Sequence, residues 1–392
     1  MKSVKTLYTL IISGAVFFAN CSGEPIKKVF EYASSAPSYS TPLIINEYVI
    51  FGNEAGTITA VNKMTGQSVW RYETYKSVIS APKFGEDLVF FGSENYSFYA
   101  INMRGEEVWK YATRSAIKSD PLYHDGKVYF SSYDGNLYCV TAKKRKLVWI
   151  FPAPTPPKEE EDKPEGDKTA VKDKGTKDKK EGEVEQKEPV PPPIVPGNFS
   201  YSAPVLSNGV IFIGNLDGYL YAVNAADGTL KWRFKTDSGV TSTPLVRNGV
   251  VYFGSNDTYV YAIDEATGTK VHWKFKTGGW VNSSPKLKDG VIYVGSVDKN
   301  LYAIDAQSGK EVCRYAAKGE IIAYPEFAQG LVFFAGGTND GQIYAVEEKT
   351  CKEVWKFITG YQIKSDPVID GDMLYITSGD RKLYAFKIKY KK

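Results

Sequence analysis

The sequence predicts an all-β protein, an eight-bladed β-propeller whose blades are four-stranded and antiparallel and whose ring is closed by the N-terminal strand. Three observations carry this reading. A unit of about 40 residues recurs along the chain, the kind of period that marks propellers and solenoids. Its anchors are Pro42, Pro82, Pro121, Pro204, Pro244, Pro285, Pro325 and Pro367. Each unit divides into four runs at its turn signals: between Tyr201 and Asp237 the segments SNG, NLDG and ADG each interrupt an alternating or apolar stretch. Composition agrees, because 43% hydrophobic and 14% aromatic content over 392 residues supports a large core, and abundant Tyr, Val and Gly favour strands and turns over helices.

Taken in order, the chain opens with Lys2 and Lys5, an apolar run from Leu7 to Ala19, and Cys21. A charged segment followed by an apolar stretch too short to span a bilayer reads as an export signal over residues 1–20. Residues 21–26 then form a short tether. KKVFEYA (Lys27 to Ala33) matches an outer strand, and the last unit stops after LYAFKIKY (Leu383 to Tyr390), one strand short. The N-terminal strand is therefore expected to complete blade 8 and remove the open edges of a linear array. Blades 1 to 3 and this closing strand occupy residues 27–151, and blades 4 to 8 occupy 198–392. Between them, residues 152–197 carry dense mixed charge with prolines at both ends and no aromatics. Such a segment buries too little apolar surface to offset the entropy of ordering, so a disordered, solvated spacer is expected.

The segment FANC, Phe18 to Cys21, resembles the lipobox of bacterial lipoproteins, with Phe18 where Leu is common and Asn20 where Ala or Gly is usual. That resemblance implies cleavage before Cys21 and lipid attachment to it. Ser22 stands where an aspartate would retain a lipoprotein in the inner membrane, so the implied place is the outer membrane, facing the periplasm.

The units also resemble the tryptophan-docking repeat of PQQ-type propellers, A-x-D-x-x-T-G-x-x-x-W, seen here as AVNKMTGQSVW (Ala60 to Trp70) and AVNAADGTLKW (Ala222 to Trp232). The small position recurs as Ala60, Ala100, Cys139, Ala222, Ala262, Ala303 and Ala345. The ring position recurs as Trp70, Trp109, Trp149, Trp232, Trp273 and Trp355, with Phe30 in the N-terminal strand and Cys313 in blade 6. In that family each indole lies between the Ala of its own motif and the Gly peptide of the next blade. A flat ring needs small neighbours on both sides, so these consensus residues are structural. The Gly position that would face Cys313 is Cys351. Two cysteines replacing the two halves of one contact imply a Cys313–Cys351 disulfide, as suits an exported protein. Cys139 is left as a buried free thiol beneath Trp149.

The same scaffold serves quinone-dependent dehydrogenases and non-enzymatic envelope proteins. A quinoprotein needs a calcium-held quinone, an Asp base and often a pair of adjacent cysteines; the sequence has no Cys-Cys pair, and its short units leave little room for loops that cover a site. His124 and His272 fit no nucleophile or metal-ligand spacing and read as surface residues. No cofactor, metal or catalytic residue is expected. An exported, lipid-anchored propeller with minimal loops instead resembles the BamB-type lipoproteins of the outer-membrane barrel assembly machinery. That resemblance implies a scaffold docking on the barrel insertase and aiding its substrates. The family's Arg and acidic loop residues are absent here, where Val78–Ile79, Phe199–Ser200 and Val240–Thr241 stand, so binding residues do not carry over. A surface-exposed, adhesin-like lipoprotein is the third reading. A net charge of +4 with no basic cluster interleaved with aromatics argues against nucleic acid.

If blade strands alternate in direction, the turns between second and third strands share one face with the blade-to-blade connections. Those turns carry Glu54, Glu94, Asp134, Asp217, Asp257, Asp298, Asp340 and Asp380, which read first as turn formers. The connections carry Phe199, Tyr201, Trp280 and Tyr361, the aromatic candidates for contacting a partner. The closing strand starts on the opposite face, a few residues from Cys21 at ~3.3–3.6 Å each. The acid-and-aromatic face should therefore point away from the membrane.

Overall fold

The computed structural model describes residues 24–152, 199 and 201–390. The leader, Cys21 and residues 153–197 of the insertion lie outside the described residues. Every regular element described is a strand, and the strands form eight sheets of four. All pairings within these sheets are antiparallel, as in Val210–Gly214 against Tyr219–Asn224.

Burial follows the geometry of wedges packed around an axis. The second and third strands of each blade lie between two neighbouring sheets, so VIFIG (Val210–Gly214) is buried throughout. Outer strands sit where the sheets splay apart and cover one face only. SVWRYE (Ser68–Glu73) accordingly alternates over its last four residues between half-buried and exposed. Each junction between blades has its own apolar core; Ile50 and Ile58 of blade 1, for instance, meet Val89 and Phe91 of blade 2.

The ring closes as the sequence predicts. Ile26–Ala33 pairs antiparallel with Lys382–Ile388, from Ile26 opposite Ile388 to Ala33 opposite Lys382. It becomes the outer strand of blade 8, and residues remote in sequence then pack together, with Tyr375 and Leu383 against Val49 and Phe51.

The docking positions lie directly across from one another: Ala60 opposite Trp70, Ala100 opposite Trp109, Cys139 opposite Trp149, Ala222 opposite Trp232, Ala262 opposite Trp273 and Ala345 opposite Trp355. Ala385, opposite Phe30, supplies the eighth small residue. The rings of Phe30, Trp70, Trp109, Trp149, Trp232 and Trp273 then lie on the next blade's turn, while Trp355 packs on Phe386 of blade 8. A Cβ at Gly228 would stand 2.7 Å from the Trp149 ring, and Gly228 has a φ of 76°, so glycine serves both the turn and the contact. The indole N–H completes the dock: Trp109 donates to the Ala142 carbonyl at 2.7 Å, Trp149 to Ala225 at 3.1 Å, Trp232 to Glu265 at 3.1 Å and Trp273 to Ala306 at 2.9 Å.

Blade 6 departs from this pattern. Cys313 lies opposite Ala303 at the ring position, and Cys351 holds the glycine position of blade 7 with a φ of 55°. The two form a disulfide with their Cα atoms 5.9 Å apart, within the usual span of such bonds. Cys139 remains a free thiol, fully buried beneath Trp149. Burial pushes it up to about 12, which removes the thiolate that reactivity requires.

Candidate partner-docking face and central bore

Antiparallel alternation places the turns between second and third strands beside the blade-to-blade connections. Five residues before seven of the eight anchor prolines, a carbonyl accepts an amide from the following turn. Glu94 donates to Ser77 at 2.9 Å, Tyr133 to Ala116 at 2.9 Å, Asn256 to Gly239 at 2.8 Å and Val297 to Trp280 at 2.9 Å. Turns and connections therefore form one continuous face. The closing strand begins on the other side, because its Ala33 end lies at the turn that holds Asp380.

Turn chemistry accounts for most of the acids on this face. Asp217 accepts the Tyr219 amide at 3.0 Å and the Tyr221 hydroxyl at 2.5 Å. Asp257 and Asp298 do the same for Tyr261 and Tyr302, and each also caps an amide of the incoming connection: Asp237 to Asp257 at 3.1 Å, Gly278 to Asp298 at 2.6 Å. Burial pushes the Asp298 carboxyl up, yet hydrogen bonds from Tyr302, Asn300 and Gly278 outweigh it and leave the group below its ordinary value. These carboxylates are committed to holding connections against turns. In blade 2 the acid differs in role: Glu94 pairs with Lys118 at 3.0 Å, and Asn95 donates to the Tyr99 hydroxyl at 2.6 Å.

The four aromatic candidates divide. Tyr201, Trp280 and Tyr361 are 53%, 55% and 56% exposed on this face. Phe199 is not: it is 2% exposed and packs in the core between blades 3 and 4, 6.0 Å from the Tyr221 ring. Four residues before most anchor prolines stands a fully buried aliphatic plug, as in Val78, Ile117, Val281, Ile321 and Ile363. In blade 4 the sequence has Ser200 at that place, and Phe199 beside it in sequence is buried. Val78 and Val240 are themselves such plugs, buried at 0% and 1%. Two aromatics that the sequence reading passed over join the face: Tyr75, 82% exposed, and Tyr96 in the adjacent turn, bridged by the Asn95 bond to the Thr74 carbonyl at 2.9 Å. A groove of about 240 Å³ lies beside Tyr361, lined also by Thr338, Asp340 and Gln362.

The residue before each anchor proline faces the bore at the centre of the ring, and several bridge neighbouring blades. The Ala203 amide donates to the Thr243 hydroxyl at 2.9 Å and the Thr243 amide to Ser284 Oγ at 2.7 Å. The Tyr324 amide donates to Asp366 Oδ1 at 2.7 Å, and the Thr41 hydroxyl to Asp366 Oδ2 at 2.8 Å. Tyr324 and Thr243 hydroxyls, two blades apart, meet at 3.0 Å. Burial raises the Asp366 carboxyl to about 7, helped by the charge of Asp120 and opposed by the Tyr324 amide. Asp120 is raised for the same reason, burial. His124 and His272 are exposed, in blades 3 and 5.

The chain is matched by the family model PQQ_2, described as outer membrane protein assembly factor BamB. It aligns over residues 54–179, 163–279, 256–357 and 327–390. The chain belongs to this family. No curated protein sequence is significantly similar to the chain. Among solved structures, the BamB of Moraxella catarrhalis superposes with a TM-score of 0.70 at 14% identity, covering 94% of this chain and 99% of that one. A computationally designed protein, Ika8, gives 0.72 at 14% identity, covering 92% and 100%. The quinohemoprotein alcohol dehydrogenase ADHIIG of Pseudomonas putida HK5 gives 0.70 at 14% identity, covering 94% of this chain and 77% of its own. At such identity these likenesses establish the fold, which a BamB-family member shares with a designed protein and an oxidoreductase alike.

Proposed function

We propose that this BamB-family propeller is a non-enzymatic scaffold, anchored by lipid at Cys21 in the outer membrane and facing the periplasm, that assists the assembly of outer-membrane β-barrel proteins through protein–protein contacts. Family membership supports the role. The observation that carries the docking side is the exposure of Tyr201, Trp280 and Tyr361 on the face opposite the start of the closing strand. Aromatic side chains of this kind are the usual anchors of protein interfaces, and a partner on that face would approach from the side away from the membrane.

The test is photo-cross-linking in cells from a probe at Trp280 or Tyr361. Recovery of the barrel insertase or its companions is expected, and recovery of no barrel-assembly component would sink the proposal. The likeness to ADHIIG favours a second reading, a quinone-dependent oxidoreductase. Titration of the purified protein with PQQ and calcium separates the two, since the scaffold reading expects no saturable binding.

A further inference from the structure

The eight outer strands are each an edge of their sheet. An edge offers unpaired backbone groups to any passing chain, and proteins blunt it with charge. Seven blades do so at one position, immediately after the docking residue: Arg71, Lys110, Arg233, Lys274, Arg314, Lys356 and, in the closing strand, Glu31. Some of these cations are further fixed over a tyrosine of the same sheet. Arg233 lies 4.6 Å from the Tyr219 ring, Lys274 4.7 Å from Tyr259 and Arg314 5.2 Å from Tyr302.

Blade 3 is the exception. Its outer strand, Leu147–Phe151, reads LVWIF, with Ile150 in the guarded position, opposite Tyr138. Leu147 and Val148 are each 39% exposed. The strand is entirely apolar, yet immediately before it stand four exposed cations, Lys143 to Lys146. Lys143 pairs with Glu86, and Arg145 donates to the Lys110 carbonyl at 2.9 Å on the outer strand of blade 2. Lys144 and Lys146 make no ion pair among the described residues.

The geometry points to the outer edge of blade 3 as a strand-addition site for an extended segment of an unfolded partner, uncharged along the strand and acidic at its end. The segment lies antiparallel to Leu147–Phe151, with acidic residues at its C-terminal end beside Lys144 and Lys146. Main-chain hydrogen bonds along the edge supply affinity, and alternate side chains rest on Leu147, Val148 and Ile150. The basic end sets direction, since antiparallel addition brings the partner's C-terminal end to the start of the strand. This rests on the scaffold reading and deepens it, naming the chemistry of the chain that is held.

The test is fluorescence anisotropy of the purified protein with a labelled ten-residue peptide that alternates Thr with Val or Tyr and ends in two Glu. Binding of the wild type is expected. Ile150→Lys, which restores the charge of the other seven blades, should weaken it by about tenfold or more, as should N-methylation of alternate peptide amides. Lys144→Glu with Lys146→Glu should weaken the Glu-ended peptide and recover binding when the peptide ends in Lys. Circular dichroism of each variant establishes that it folds. Equal binding by Ile150→Lys or by the N-methylated peptide would overturn the proposal, as would no binding by the wild type. A wild-type dimer that Ile150→Lys makes monomeric would assign the edge to a second copy instead, and also overturn it. Cross-linking from Trp280 reads a different face, so failure here and failure of the scaffold reading are distinguishable.

Discussion

Between blades 5 and 6 the outer strand is held by Trp273, whose indole lies on Gly309 and donates to the Ala306 carbonyl at 2.9 Å. Between blades 6 and 7 the same two positions are Cys313 and Cys351, joined by a disulfide. The backbone is alike in both, with φ of 68° at Gly309 and 55° at Cys351. One turn geometry thus accepts either a broad ring resting on a bare peptide or a short covalent link. The ring buries area and, at Trp109, Trp149, Trp232 and Trp273, also satisfies a carbonyl, although the Trp70 indole N–H finds no partner among the described residues. The bond acts mainly on the unfolded chain and persists only in an oxidising compartment.

The largest expected effect breaks the covalent junction. Cys313→Ser should lower stability by about 4 kcal/mol, the loop-closure estimate for a separation of 38 residues. Urea denaturation measures it, and reductant should produce the same loss in the wild type and none in the variant. Breaking the non-covalent junction should cost less: Trp273→Ala is expected to lose about 3 kcal/mol, at the low end for such truncations because the ring is only half-buried, with or without reductant. Converting one junction into the other sharpens the comparison. Cys313→Trp combined with Cys351→Gly should bring stability back to within about 1 kcal/mol of the oxidised wild type and abolish its dependence on reductant.

A third kind of junction lies at the bore, where Asp366 bridges blades 7, 8 and 1. Its folded-state carboxyl is raised to about 7, above its unfolded value. The folded protein therefore binds the proton more tightly between about pH 4 and 7, and this group's contribution to stability falls as pH rises across that window. Asp366→Asn should flatten that slope in denaturation curves recorded from pH 4 to 8. The smallest effect belongs to the docking face. Trp280→Ala should change stability by less than about 0.5 kcal/mol, because the side chain is 55% exposed, while removing the cross-link or binding signal of any partner seated there.

The repeat made the ring legible. Period, proline anchors and turn signals placed eight blades and the closing strand, because each depends on residue types at fixed spacing, and the resemblance to the docking motif implied the Cys313–Cys351 pair. The fate of Phe199 was not legible in the same way. It stands five residues before its proline, as Trp280 does, and one is buried while the other is exposed. The two connections differ next door in sequence, Ser200 against Val281, and Val281 is fully buried in blade 6. Tyr75 was missed because it lies at no position the repeat marks, and Tyr96 because it stands at the glycine position of its turn, with a φ of 69° against 84° at Gly218; the bond from Asn95 to the Thr74 carbonyl brings them together. The guarded edge was readable in principle, as a charge after the docking residue in seven units and Ile150 in the eighth, but its meaning requires knowing that this strand is outermost.

Composition and spacing were enough to dictate strands, blades and closure, since hydrophobic alternation and turn residues act over a few neighbours and the repeat multiplies the signal. Folding was needed to bring Asp366 to both Tyr324 and Thr41, to turn Phe199 inward, and to leave three aromatics of four in solvent. These outcomes depend on contacts between blades, from 42 positions apart for Tyr324 and Asp366 to 325 for Thr41 and Asp366, where burial and hydrogen-bond partners are set by the ring as a whole.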